Sequence, residues 1–177
     1  MWLRYLEAFI PALLRGPDMK ESVLDVLMYL FENYMDSDVE FNPDQESLRA
    51  ELVEAGFPQG EISKAFTWLE GLTEQQQNLP PQSLVASRSI RIFTPLEAEK
   101  LDMECRGFLL FLEQVGVLDT ATRELVIDRV MALETEDIDL EQLKWVVLMV
   151  LFNQPGQEAA FAWMEDLVFN EMGGYLH

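Results

Sequence analysis

The sequence has very few of the side chains that most often build catalytic and metal centres. Its one cysteine is Cys105 and its one histidine is the terminal His177, so the chain can form neither an internal disulfide nor a zinc site of its own. Cys105 falls on an apolar helical stripe between Leu101 and Phe108, which favours a small buried residue over the alternative, a catalytic thiol. A histidine at the last position is a poor general base unless it is docked. We therefore predict no catalytic residue and no metal ligand.

Basic residues are also scarce. The chain has 12 Lys and Arg against 32 Asp and Glu, a formal net charge of -20. Such a surface opposes direct binding to nucleic acid, whose phosphates are bound by Lys and Arg, and it favours a protein partner with a basic surface. A solvated acidic surface without a partner is the simpler interpretation of the same charge.

Ligand-binding motifs are missing as well. The sequence has no GxGxxG and no Walker lysine motif, so it predicts no nucleotide cofactor. The alternating acids from Asp36 to Asp44 resemble a calcium loop, but Phe41 replaces the required glycine and Ser47 the bidentate glutamate. The acids at 134–141 fail in the same way, and no pair of carboxylates stands out for acid–base catalysis. We therefore predict a protein that is not an enzyme and has no cofactor.

No apolar run is long enough to cross a membrane. Trp145–Phe152 is apolar at all eight positions, whereas a span needs about 20. With no convincing signal peptide, the expected location is the cytoplasm. A helix that is apolar all round must be covered on all sides, so 140–153 is predicted to be the central helix of the core. A buried strand is the alternative, but Asp139 with Gln142 indicates a capping box and Asn153–Gly156 a helix stop.

The rest of the chain shows helical periodicity. The prediction is an all-α fold, a helical bundle of about seven helices in two packed halves, with at most one short extended segment near residues 89–93. Gly71 is expected to end the third helix. A capping box of Thr94 with Glu97 is expected to open one long helix that ends at Gly116. The predicted helices are approximately 20–35, a pair within 43–71, 94–116, 119–133, 140–153 and 156–172.

These elements are grouped into four predicted segments. Residues 1–18 are an N-terminal extension, either an amphipathic anchor or an addition upstream of a natural start at Met19. Residues 19–72 form an N-terminal three-helix half. Residues 73–93, polar and proline-containing, form a linker with the short extended segment, and residues 94–177 form a C-terminal four-helix half.

The two halves share a short sequence. Leu-Met-x-Leu-Phe occurs at Leu27–Phe31 and again at Leu148–Phe152. A five-residue match is compatible with a faint internal repeat or with convergence on a core composition. In either case we expect two buried helices, one in each half, that pack together across the linker.

Candidate partner-binding residues lie where the linker ends. Arg88 and Arg91 are a local surplus of positive charge beside apolar residues, among them Phe93. On so acidic a chain, a short basic and apolar segment is a candidate contact site, which we assign to Arg88, Arg91 and Phe93. The alternative is that both arginines pair with nearby acids of the same chain.

The helix pair at 43–71 resembles a helix-turn-helix in its spacing. Its charge opposes DNA recognition, because two bases, Arg49 and Lys64, stand against six acids, a balance of 2 − 6 = −4. A packing role is the preferred interpretation of this pair.

Several longer stretches resemble the Smg family of bacterial proteins. The resemblance runs from Met19 to His177 and does not include residues 1–18. It is carried by Val26–Glu32, Ala55–Phe57, Trp68–Glu70, Arg91–Pro95, Cys105–Gln114, Leu143–Asn153, Pro155–Gly156 and Leu176–His177.

The resemblance implies a bacterial cytoplasmic protein of a family without known function, often encoded near a DNA-processing protein of the DprA (Smf) type. It supplies no catalytic residues. We predict a non-enzymatic, acidic helical protein that acts by binding a protein partner. The alternative is a regulator associated with DNA or RNA processing that binds nucleic acid directly or imitates it.

Overall fold

The computed structural model describes residues 22–35, 44–79, 90–152 and 154–173, and every regular element within them is helical. A π-helical turn, Phe31–Met35, directly follows the first helix, Val23–Leu30. The one β pairing in these ranges is an isolated parallel bridge between Leu101 and Ile138. The all-α prediction is confirmed. The helices are α1 Val23–Leu30, α2 Gln45–Glu54, α3 Gln59–Gln77, α4 Pro95–Lys100, α5 Met103–Gln114, α6 Thr120–Met131, α7 Leu140–Phe152 and α8 Glu158–Gly173.

Helix α7 is the central element of the core, as its sequence predicts. Residues Leu143 to Leu151 are all buried, and α5, α6 and α8 pack around them. Lys144 is buried with them, and its Nζ reaches Glu141 Oε1 at 2.9 Å. The predicted capping box is present, because the backbone N–H of Gln142 donates to Asp139 Oδ1 at 2.8 Å and that of Asp139 to Gln142 Oε1 at 3.0 Å. Burial of this run removes apolar surface from water on every side, which is the main source of core stability.

Helix α3 corrects the expectation that Gly71 ends the third helix. The helix continues through Gly71 to Gln77, so the first five residues of the predicted linker, 73–77, are helical. Gly71 has no positive φ, and Leu72 after it is fully buried. The end of α3 is also held from a distance, because the side-chain amide of Gln76 donates to the carbonyl of Val150 at 3.1 Å.

The prediction of a single long helix over residues 94–116 was also wrong. It is divided into α4 and α5, because Leu101 takes an extended conformation with φ -102° and ψ 107°. The backbone there pairs with the loop before α7, and the N–H of Ile138 donates to the carbonyl of Lys100 at 3.1 Å. Asp102 then caps α5 by accepting from the N–H of Cys105 at 2.8 Å. With this division, the described residues hold eight α-helices, in agreement with the predicted bundle of about seven.

Contacts join the helices on the two sides of residues 80–89. Helix α1 packs on α3, and α3 packs on α6. The expected contact between the two related sequences is made by aromatic rings: Phe31 meets Trp145 edge-on at 5.9 Å and Phe152 at 5.3 Å between ring centroids. The division into two halves stays a prediction, and residues 1–18 lie outside the described residues.

Candidate functional site

The segment before α4 alternates between inward and outward side chains. Arg91 and Phe93 are partly buried, whereas Ile90 is 89% exposed and Ile92 is 86% exposed. The predicted period of two is therefore present in residues 90–93, although no strand forms there. Arg88 lies outside the described residues.

Arg91 is held by two carboxylates, an arrangement that we call the Arg91 clamp. Its guanidinium donates to both oxygens of Glu97 at 2.8 Å and to both oxygens of Glu124 at 2.9 and 3.0 Å. These hydrogen bonds raise the pKa of Arg91. They lower the pKa of Glu97 to about 2. Burial opposes the effect at Glu124, but hydrogen bonds from Arg91 and Arg123 still lower its pKa. The positive charge of Arg91 is thus neutralised within the chain.

Phe93 lies between two arginines. The Arg91 guanidinium carbon is 4.6 Å from its ring centroid and that of Arg106 is 5.9 Å away. The ring also packs on the edge of the core. Arg91 and Phe93 are therefore positioned to hold this segment in place.

The side chains presented to solvent are the neighbouring aliphatic ones. We call Ile90, Ile92 and Leu96 the 90–96 ridge; Leu96, at the start of α4, is 70% exposed. The alternating sequence indicated two faces. It could not indicate which face is outward, because the positions of Glu97 and Glu124 decide that.

A second exposed apolar surface lies on α5 and α8. It comprises Leu110, Phe111, Val115 and Trp163, each 40–49% exposed, and Met103, which is 80% exposed. The rings of Phe111 and Trp163 are 6.3 Å apart and join the two helices. We call this set the α5–α8 face.

This face was not predicted from the sequence, because a single apolar stripe, that of Leu101, Cys105 and Phe108, was assigned to this part of the chain. Val115, at the end of the helix, is exposed. The missed signal is the second stripe on the same helix, Met103, Leu110 and Phe111, at positions i, i+7 and i+8.

The helix pair at 43–71 offers no free base among its described residues. The Arg49 guanidinium lies 4.6 Å from the Phe66 centroid and donates to Ser63 Oγ at 3.1 Å. Lys64 pairs with Glu61 at 3.2 Å and with Glu134 at 2.5 Å. Both bases of the helix pair are therefore engaged in contacts within the chain.

Two buried side chains, Cys105 and Lys100, donate hydrogen bonds to backbone carbonyls. Cys105 is 0% exposed, its Sγ donates to the carbonyl of Ile138 at 3.5 Å, and burial raises its pKa to about 12. Lys100 is buried, its Nζ donates to the carbonyl of Leu133, and burial lowers its pKa. A thiol with that pKa stays protonated near neutral pH and is a poor nucleophile.

Three of the five acids at 134–141 have structural roles. Glu134 pairs with Lys64, Asp139 caps α7 and Glu141 pairs with Lys144. Across the described ranges, no three His, Cys, Asp or Glu side chains converge in a way that could hold a metal ion. Asp44 is the one acid of 36–44 that lies within the described residues. It caps α2, because its Oδ1 accepts a hydrogen bond from the N–H of Ser47 at 2.9 Å. His177 lies outside the described residues.

None of the described helices is both long enough and apolar enough to cross a lipid bilayer.

Comparison with known proteins places the chain among close relatives. Residues 23–177 match the family described as protein of unknown function (DUF494). A protein named Smg homolog from Nitrosococcus oceani is 71% identical over 159 residues, which are 90% of this chain and 100% of the relative. Smg homologs from Methylococcus capsulatus and Thioalkalivibrio sulfidiphilus are 59% and 58% identical with the same coverage. No solved structure matches the chain.

Proposed function

The chain belongs to the Smg family of proteins of unknown function, and on that premise we propose that it acts by binding another protein and not by catalysing a reaction. The observation that carries the proposal is the 90–96 ridge: two isoleucines, 89% and 86% exposed, on a segment that the chain itself holds in place.

The ridge has the physical properties of a preformed contact. A bidentate arginine–carboxylate pair is among the more directional side-chain interactions, and the Arg91 clamp contains two of them. A segment that is already ordered loses less conformational entropy on binding than a mobile one, so its apolar side chains contribute more to affinity. Covering Ile90, Ile92 and Leu96 removes apolar surface from water, which is favourable.

The chemistry of the described side chains supports binding over catalysis. The thiol of Cys105 is enclosed and protonated, and the amine of Lys100 is used by a backbone carbonyl. Both groups are enclosed, whereas acid–base and covalent mechanisms require a reactive group that a substrate can reach.

The charge supports a protein partner with a basic surface. The net charge is -20, and the described bases of the helix pair, Arg49 and Lys64, are engaged within the chain. Phosphate binding depends on available Lys and Arg. The nucleic-acid alternative therefore receives no specific support from these residues.

The test is affinity capture at low salt from native cells, followed by mass spectrometry, with three baits. We expect the unaltered chain to capture a stoichiometric partner and the Ile90→Asp/Ile92→Asp chain to lose it. Val53→Asp, a change at an apolar residue that is 44% exposed on α2, is the matched control and should keep the partner. Absence of any stoichiometric partner, or retention by the double variant, would reject the proposal.

A gel-shift titration separates the nucleic-acid alternative. Binding through phosphates must weaken as salt rises. We expect no shift of DNA or RNA at low salt; a salt-dependent shift would favour direct nucleic-acid binding instead.

A further inference from the structure

The α5–α8 face is an apolar surface distinct from the 90–96 ridge. Helices α5 and α8 both pack on α7, and the ring contact of Phe111 with Trp163 links their outer sides. Leu110, Phe111 and Val115 are 40%, 44% and 49% exposed, and Met103 is 80% exposed. Apolar residues repeated on one side of a helix normally face a core, whereas this stripe on α5 stays largely open to solvent apart from the contact of Phe111 with Trp163.

Gly107 lies in the middle of that stripe, four residues from Met103 and four from Phe111. A glycine inside a helix destabilises the helix relative to alanine. Gly107 has no positive φ, and an added Cβ would meet nothing within 4 Å. The packing of the described residues thus gives no reason for a glycine here.

Gly60, in the first turn of α3, also has open space around it, whereas Gly71, inside α3, does not. At Gly71 an added Cβ would lie 2.5 Å from Nη1 of Arg129, so an alanine there would displace the buried guanidinium. By the same reasoning, Gly107 is suited to the close approach of a group that is not part of this chain. A helix crossing α5 at this point can come nearer to its axis than a side chain would permit.

The charge of α5 and α8 indicates which kind of molecule the α5–α8 face would bind. Helix α8 has no Lys or Arg, and α5 has one, Arg106, which lies over Phe93. Their acids are Glu104, Glu113, Glu158, Glu165, Asp166 and Glu171, a balance of 1 − 6 = −5 for the two helices, of which Glu113 is paired with Arg123 of α6. A second copy of the chain has a net charge of -20 and would be repelled by this surface. Nucleic acid and an anionic membrane are also negatively charged and would be repelled in the same way. The partner surface that complements this face is therefore an apolar stripe flanked by positive charge.

We infer that the α5–α8 face binds a basic amphipathic helix of a partner protein. Its apolar residues, at spacings of i, i+3 or i+4 and i+7, would cover Leu110, Phe111 and Trp163, with the helix passing over Gly107. Lys and Arg on its flanks face the acids of α5 and α8. Since α5 has 12 residues, about 18 Å of helix, the contact spans roughly three turns of the partner.

The test is selection from a display library of 20-residue peptides, with the full chain as target. The inference predicts enrichment of peptides that have net positive charge and helical apolar spacing. Their affinity should fall as salt rises, and NMR signals of α5 and α8 should shift when they bind. Leu110→Asp and Phe111→Asp should each weaken binding by about tenfold or more. Val53→Asp should leave it unchanged, because Val53 lies on α2.

Gly107→Ala separates partner contact from a folding defect. It should raise the melting temperature by about 1–4 °C, because alanine is the better helix residue, and still weaken the selected peptides. The inference is overturned if no peptide is enriched, or if the enriched peptides are acidic or extended. It is also overturned if they bind the Leu110→Asp and Phe111→Asp chains unchanged, or if the face is covered by self-association that Phe111→Asp abolishes. Each of these readouts is independent of Ile90 and Ile92, so failure here is distinguishable from failure of the ridge.

Discussion

Gly71 of α3 lies against the guanidinium of Arg129 of α6. A Cβ added to the glycine would stand 2.5 Å from Nη1. That nitrogen donates to the carbonyl of Trp68 at 3.2 Å, and the indole N–H of Trp68 donates back to the carbonyl of Arg129 at 2.8 Å. Arg129 is only 8% exposed. The glycine therefore makes room for a reciprocal pair of buried hydrogen bonds between two helices.

Gly71→Ala should destabilise the protein. The methyl group gains about 0.5–1 kcal/mol of helix propensity, but moving the guanidinium costs a buried hydrogen bond from a charged donor, about 1.5–3 kcal/mol. The net loss expected is about 1–2 kcal/mol in urea unfolding.

Gly107→Ala is the matched control for that change, since it is the same substitution inside a helix with open space around it. It should stabilise by about 0.5–1 kcal/mol. Equal changes at the two glycines would show that the contact with Arg129 has no energetic weight.

Leu148→Ala should be among the most damaging single changes. Leu148 is 0% exposed at the middle of α7, and truncation leaves a cavity among packed side chains. We expect a loss of about 2–5 kcal/mol in the free energy of unfolding. Leu96→Ala, at a position 70% exposed, should change it by no more than about 0.5 kcal/mol. If Leu148→Ala left stability unaltered, α7 would not be the core helix.

The Arg91 clamp should make stability fall in acid. The pKa of Glu97 is about 2 in the folded chain against an ordinary 4.5. Because the folded value is the lower one, the contribution of the pair is complete above about pH 4.5 and is lost as pH falls toward about 2. Glu97→Gln should remove that part of the pH dependence and lower stability at neutral pH. Glu99→Gln, exposed on the same helix, is the control for urea unfolding between pH 2 and 7; an identical acid slope in both variants would contradict a role for the clamp.

Cys105 should react slowly with thiol reagents. It is 0% exposed with a pKa raised to about 12, so both access and the thiolate fraction are low. With an aromatic disulfide reagent at pH 8, we expect labelling of the folded chain to be limited by opening of the core and to become rapid in urea. Labelling at the same rate with and without urea would mean that α5 does not cover the thiol.

The candidate site was only partly predictable. The sequence drew attention to Arg91 and Phe93, and the structure shows them holding the segment, with Ile90 and Ile92 outward. An alternating pattern defines two faces but not their direction, because the direction depends on where Glu124 lies. The α5–α8 face was missed because one apolar stripe on α5 was taken as the whole pattern.

What the sequence determined by itself was local or compositional. The caps at Thr94 and Asp139 follow from side chains within three residues of the backbone groups they bind, and the burial of α7 follows from an apolar run that no amphipathic arrangement can accommodate. Tertiary structure alone decided the helix break at Leu101, the role of Gly71 and the outward direction of Ile90 and Ile92. Each depends on a partner distant in the chain, as the separations of 61 residues for Trp68 and Arg129 and 33 for Arg91 and Glu124 show. Helical periodicity carries no information about such partners, because it reports which side of a helix is apolar and not which side chain will meet it.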